Sequence, residues 1–434
     1  MQVATGSNPS DGVDVGPRPG VTAMIVGLFF AWGFCTVLVD SLVPKLKGLF
    51  SLSYAEAMLS QFAFFLAYLV VSIPAGLLLA RIGYLHSIVA GLAVTAAGCL
   101  LFTPAASMGL YPVFLLALFV LASGITLLQV AANPLIANLG DKRRSHVRLN
   151  LAQAFNSLGT TIGPWLGAAF ILAGGVELPG DPSSLSPEAL AALRVQEADV
   201  VRAPFLGIAT VLGLFAMAFW LLRRQRGMPP VPQQVSGRAV FAPLRHPRLA
   251  LATLSIFLYV GAEVAIGSVL VNYLMLPGTL GETAERAGRL VSLYWGGAMV
   301  GRFVGSMLMR RVQASSLLAM CALVAATLAT ASSFSVGHFA AATIIAIGLF
   351  NSIMFPTIFS LGIEKLGDET PQGSALLCLA IVGGAVIPVV TGAAADRFGL
   401  SSSLLVPAIC YLGIAAFAVL TRRGVLDRGH TAAS

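Results

Sequence analysis

Two carboxylates, Asp40 and Glu263, sit inside unbroken apolar stretches, whereas the other acids fall in polar breaks or in the tails. An ionised carboxylate at the centre of a bilayer costs at least about 3 kcal/mol. A chain that keeps such groups there is expected to use them, and two uses suit the chemistry. A cation taken up by the carboxylate cancels the buried charge, or the carboxylate accepts hydrogen bonds from a polar solute. Asp40 follows Trp32-Gly33-Phe34, and a proton or Na⁺ bound there would couple cation occupancy to conformation. The plainer alternative is an inert interfacial aspartate near Lys45. Glu263 follows Tyr259 and Gly261. It can bind a solute, stay protonated, or pair with Arg302 on the following span.

Amides and hydroxyls recur at helical spacing around these acids. Asn150, Gln153, Ser157, Thr160 and Pro164 step by three and four and share one helix face, with Asn156 beside it. Thr126, Gln129 and Asn133 form a second face, and Asn351, Ser352 and Thr357 surround Pro356. Carboxamides present paired donors and acceptors, which match sugar hydroxyls. Interhelical hydrogen bonding is the alternative use. Trp32, Tyr259, Tyr294 and Trp295 offer flat apolar faces for stacking on a sugar ring, or simple packing surface. The histidines do not cluster, and the five cysteines fall in separate spans without metal-ligand spacing. No hydrolytic, phosphate-binding or redox pattern is present. The expectation is a protein that is not an enzyme and needs no cofactor beyond a coupling ion, H⁺ or Na⁺.

These residues must be positioned by membrane helices. Charged residues make up 10% of the chain and hydrophobic ones 57%, against about 25% charged in soluble domains. Twelve apolar spans are read near 21–44, 57–80, 86–104, 111–136, 149–173, 203–222, 249–275, 290–309, 315–333, 338–362, 373–395 and 402–421. Each can cross a hydrocarbon layer of about 30 Å. The net charge of +8 arises from Lys and Arg that flank spans rather than forming an aromatic-interleaved patch, so no nucleic-acid partner is expected. Basic residues favour the segments on the side of the N-terminus more than twofold over the opposite side, which places both termini in the cytoplasm. The expected organisation is a tail at 1–20, a six-helix bundle at 21–222, a Pro-, Gln- and Arg-rich linker at 223–248, a second bundle at 249–421 and a tail at 422–434.

The two halves repeat. Phe29 and Gly33 match Phe257 and Gly261 at an offset of 228, Gly76 and Arg81 match Gly305 and Arg310 at 229, and Gly140-Asp141 matches Gly367-Asp368 at 227. A nearly constant offset over equivalent spans points to duplication. Gly297, Gly301 and Gly305 form a small-residue ridge suited to close helix packing.

Several strings carry a family resemblance. They are Leu128-Gln129-Val130-Ala131-Ala132-Asn133-Pro134, the run from Arg148 to Gly159, Tyr259-Val260-Gly261-Ala262-Glu263-Val264, the run from Gly348 to Thr357, and Leu377 to Gly384. From about residue 22 onward the chain resembles the sugar–cation symporters of the major facilitator superfamily. The group is that of the fucose, glucose and galactose permeases, and the likeness leans to the bacterial glucose/galactose branch. The resemblance implies an all-α membrane protein of twelve helices in two pseudo-symmetric bundles. It implies import of a hexose, glucose or galactose, with a cation by alternating access; a monomer in the cell inner membrane is the accompanying expectation. By the same resemblance Asp40 matches a coupling aspartate, and Gln129 stands where the fucose branch has a glutamate. Asn156 matches a cavity asparagine, and Glu263 fits the glucose/galactose pattern as a second coupling acid. Gln129, Asn133, Gln153, Asn156, Asn351 and Glu263, with Trp32, Tyr259 and Trp295, form the expected sugar-binding set. The usual acid before the first inner loop is missing, since the string reads Leu79-Ala80-Arg81-Ile82-Gly83. An exporter of apolar drugs on the same architecture and a non-transporting sugar receptor are the rival readings. The first would want a greasier cavity, and the second would need a signalling partner domain.

Overall fold

In the computed structural model the described residues are 19–139, 145–172, 187–223, 241–309, 311–364, 366 and 369–427. Among them the protein is helical throughout, with no strand. In the first half run α1 (Pro19–Phe50), a single turn α2 (Tyr54–Ala57), α3 (Leu59–Met108), α4 (Tyr111–Asn138), α5 (Ser145–Gly167) and α6 (Pro187–Leu222). In the second half run α7 (Pro247–Met275), α8 (Ala284–Leu308), α9 (Ala314–Phe334), α10 (Gly337–Asn351), α11 (Met354–Ile363), α12 (Thr370–Leu379), α13 (Gly383–Phe398), α14 (Leu400–Ser403) and α15 (Leu405–Arg422).

Nine runs among the described residues are long and apolar enough to cross a membrane. One of them, Tyr54–Met108, holds two of the spans read from sequence. The two meet at Gly83, whose φ of 78° an L side chain rarely adopts. The spans read near 149–173 and 290–309 are the helices α5 and α8, which are more polar than the nine. Their polarity has a reason, because both present side chains to the central cavity. Span ten is two helices. Pro356 has no N–H for the carbonyl four residues back, and the helix breaks between α10 and α11 at Ser352 and Ile353. Residues 1–18, 224–240 and 428–434, which hold most of the two tails and of the linker, lie outside the described residues.

The pattern of packing partners repeats between the halves. In the first, α1 packs on α5, and α3 on α4 and α6. In the second, α7 packs on α13, α8 on α10, and α9 on α15. The cores are apolar and aromatic, as where Phe102 of α3 stacks on Phe205 of α6 at 3.9 Å between ring centres. The glycine ridge of α8 lies against α10 and the break that follows it. Gly297 faces the backbone of Leu349, Gly301 faces Leu349 and Ser352, and Gly305 faces Ile353.

Across the halves, α5 packs on α8, α3 on α13, and α1 on α7. One end of the molecule, carrying Phe50, Gly109, Gly278 and Gly399, is shut by direct contact between halves. There Asp396 at the end of α13 accepts hydrogen bonds from the backbone N–H groups of Tyr54 and Ala55. Gly288 of α8 sits against Ala168 and Leu172 beyond α5. At the opposite end, Glu369 pairs with Arg245 and His246 while Glu364 pairs with Arg248, so these ion pairs stay within the second half.

Candidate functional site

Asp40 lies on α1 two-thirds of the way toward the shut end, and it is 6% exposed. Its Oδ1 accepts two hydrogen bonds, from Gln61 Nε2 of α3 at 3.0 Å and from Ser268 Oγ of α7 at 3.1 Å. The first partner belongs to its own half and the second to the other. Gly267 makes room for this. A Cβ there would stand 3.2 Å from Asp40 Oδ2 and 3.4 Å from the Trp295 ring.

Asp40 is part of the wall of a central cavity of about 250 Å³ between the halves, just under the roughly 300–1,000 Å³ usual for small-molecule pockets. The first half contributes Thr36, Asp40, Gln61, Tyr68, Gln129, Asn156, Ser157 and Thr160, and the second contributes Glu263, Trp295 and Arg302. Phe65, Phe355 and several aliphatic side chains complete it.

The hydrogen bonds around the wall fix which atoms face inward. Gln129 Nε2 donates to Tyr68 Oη at 2.8 Å, and Asn156 Nδ2 donates to the Phe29 carbonyl at 3.1 Å. Glu263 Oε1 accepts from Tyr259 Oη at 2.7 Å, one turn earlier on α7. Arg302 donates to Ser157 Oγ of the other half rather than pairing with Glu263. The Trp295 indole N–H is buried on the Asp40 side of the wall, without a fully formed hydrogen bond.

Asp40, Glu263, Gln129, Asn156 and Trp295 of the expected binding and coupling set therefore meet at one cavity, together with Ser157 and Thr160 of the polar face of α5. The others stand back from it. Tyr259 is buried behind Glu263, and its one hydroxyl proton is shared between Glu263 and the more distant Asn351 carbonyl at 3.1 Å. Asn351 is fully buried and donates through Nδ2 to Tyr294 Oη at 2.8 Å. Both hold the wall from behind rather than line it. Trp32 is buried against Phe29, with ring centres 4.0 Å apart. Asn133 lies one turn beyond Gln129 on α4 with a buried, unbonded Oδ1, and Gln153 is half-buried on α5. The side chain of Asn150 lies outside the described residues.

The structure adds Gln61, Tyr68 and Ser268 to the site. Gln61, Phe65 and Tyr68 recur at intervals of four and three and so share a face of α3. That spacing is the signal available in sequence. Ser268 gave none, because a lone serine in an apolar helix usually bonds to its own backbone. Among the described residues no cluster of three or more His, Cys, Asp or Glu side chains could hold a metal ion, and the cysteines are unpaired thiols.

Comparison with known proteins places this arrangement. The model of the Major Facilitator Superfamily matches residues 23–377. The glucose/galactose transporter of Brucella abortus biovar 1 (strain 9-941) is 47% identical over 396 residues, covering 91% of this chain and 92% of that one. The L-fucose-proton symporter of Escherichia coli (strain K12) is 36% identical over 408 residues, covering 91% and 92%. Among solved structures, the transporter FucP in the outward conformation superposes with a TM-score of 0.69 at 33% identity, covering 92% of this chain and 98% of that one. With a family model over most of its length and relatives along nearly all of it, this membrane-spanning chain belongs to the Major Facilitator Superfamily of transporters, not to a family of enzymes.

Proposed function

We propose that the protein is a secondary active transporter that imports a hexose, glucose or galactose, together with a cation, by alternating access. The observation that carries this reading is the double attachment of Asp40. One carboxylate oxygen is held from both halves at the wall of an amide-lined cavity. An ionised carboxylate only accepts hydrogen bonds, whereas a protonated one also donates. A proton at Asp40 therefore changes what Ser268 of the opposite half meets, and cation occupancy is felt by both halves at once.

H⁺ is the favoured ion. The neighbours turn donors toward the carboxylate, an amide N–H and a hydroxyl, whereas a hard metal cation wants several oxygen ligands. The relatives' names support both parts, being those of a glucose/galactose transporter and an L-fucose-proton symporter. The sugar is held by Gln129, Asn156, Glu263 and Trp295, with Asn133 and Gln153 on the adjoining helix faces. Asn351 and Tyr259 hold Tyr294 and Glu263 in place, and Trp32 supports α1 from behind.

The protein is placed in the bacterial inner membrane as a monomer with both termini cytoplasmic. Its two six-helix bundles span 21–222 and 249–421, joined by the 223–248 linker. On that orientation the shut end faces outward and the cavity is to be filled or emptied from the cytoplasm.

Counterflow in proteoliposomes tests the proposal. Purified protein preloaded with unlabelled glucose or galactose should accumulate the labelled sugar transiently, and an imposed proton gradient should drive net uptake where a Na⁺ gradient does not. Absence of hexose counterflow across a panel of sugars refutes the substrate, and uptake driven by Na⁺ alone refutes the ion.

A further inference from the structure

The segments Gly76-Leu-Leu-Leu-Ala80-Arg81-Ile82-Gly83 and Gly392-Ala-Ala-Ala-Asp396-Arg397-Phe398-Gly399 share one pattern. They also share one backbone ending. Gly83 has φ 78° and ψ 174°, and Gly399 has φ 86° and ψ 154°. The first ends the opening span of α3 and the second ends α13, and these two helices pack across the interface between halves. They run antiparallel, with Phe65 of α3 against Gly384 of α13. The two like-patterned segments therefore lie at opposite ends of the same helix pair.

At the shut end the pattern is engaged. Asp396 Oδ1 accepts from Tyr54 N at 2.6 Å and Oδ2 from Ala55 N at 2.9 Å. These are the first N–H groups of α2, which have no partner within the helix. The next one, of Glu56, is taken by the Ser53 side chain in a reciprocal capping box. Gly392 brings α13 onto this helix start, since a Cβ there would meet the Tyr54 carbonyl at 2.7 Å. At the other end the pattern is idle. Ala80 has no side-chain acceptor, and a Cβ on Gly76 would meet nothing within 4 Å.

We infer that Asp396 is a latch holding the two halves together at the shut end, and that the latch is one-sided because Ala80, at the like place in the pattern, offers no carboxylate at the other end. A carboxylate on a helix N-terminus of the opposite half stabilises one closure only. The sugar-free carrier therefore rests with the Tyr54–Asp396 end shut.

Distances between the halves read this directly. Nitroxides on Leu110→Cys and Val336→Cys, both exposed and both at the shut end, are placed in a full-length chain whose native cysteines are replaced. Pulsed electron resonance is then recorded in lipid nanodiscs without sugar. The parent should show mainly the short distance. D396A should raise the ratio of long to short distance about tenfold, the scale of one lost charge-assisted hydrogen-bond pair. D396N, which keeps size and one acceptor, should give a smaller rise and stands in if D396A does not fold. A80D should also raise the long-distance fraction, by supplying the missing acid to the start of α12 when the opposite end closes. An unchanged distribution in both Asp396 variants overturns the latch, and an unchanged distribution in A80D overturns its one-sidedness. The readout needs no transport, so it stands apart from the hexose assay.

Discussion

At the residue scale the site turns on two groups with separate tasks. Asp40 is attached to both halves through one oxygen. Asp40→Asn keeps the shape and loses the exchangeable proton. It should retain hexose counterflow while losing accumulation driven by a proton gradient, and gradient-driven uptake at the parent's level would remove Asp40 from the coupling role. Trp295 supplies a buried indole N–H beside Asp40 whose hydrogen bond is not fully formed. Trp295→Phe preserves an aromatic face and deletes that donor. The half-saturating hexose concentration should rise about 2- to 10-fold, the worth of one net hydrogen bond, and counterflow kinetics over a sugar series measures it. Asp40, Glu263, Gln129, Asn156 and Trp295 were legible in the sequence because amides and acids inside apolar spans stand out. Gln61 and Tyr68 were not, since one amide among aromatics reads as packing. Asn351 and Tyr259 stood out as strongly as the lining residues. Sequence does not distinguish a polar group that faces a cavity from one that braces it.

At the level of elements, close backbone approach sets which helices can serve the cavity. A Cβ on Gly348 of α10 would run into the backbone carbonyl of Tyr294 on α8, and backbone cannot swing aside as a side-chain end can. Gly348→Ala should cost about 1–3 kcal/mol of overpacking and lower the thermal unfolding midpoint in detergent. Gly207→Ala on α6, where a Cβ meets nothing within 4 Å, is the control and should leave the midpoint unchanged or slightly raised. The polar faces of α4 and α5 follow from spacing alone. The division of span ten into α10 and α11 did not follow from Pro356, because a proline permits either a smooth kink or a full break. The missing Pro356 N–H permits the break, and at it the Asn351 carbonyl accepts from Tyr259.

For the whole molecule, orientation remains the property to measure. The Lys and Arg bias puts the linker in the cytoplasm and the loop at Val336 outside. In a cysteine-replaced background on intact cells, a membrane-impermeant maleimide should modify Val336→Cys and spare Phe241→Cys, both sites being exposed. The opposite labelling would invert the proposed topology and with it the side to which the cavity opens. The duplicated architecture was readable because the offset near 228 holds over several spans, and the repeated packing partners agree with it. The shut end was not readable. It depends on which of two packings of the same helices is adopted, and both conserve the same hydrophobic pattern.

The amides of Gln129 and Asn156 each commit one N–H, to Tyr68 and to the Phe29 carbonyl. Their oxygens, with the carboxylates of Asp40 and Glu263, are what the first arrival meets. A guest therefore meets carboxylate and amide oxygens that accept its protons, beside donors at Tyr68, Trp295 and Arg302. Etherified sugars keep the ring and its bulk but surrender that giving capacity. Permethylated glucose should fail to compete in counterflow where the free sugar succeeds, and selection by this carrier becomes a matter of hydroxyl hydrogens more than of molecular outline.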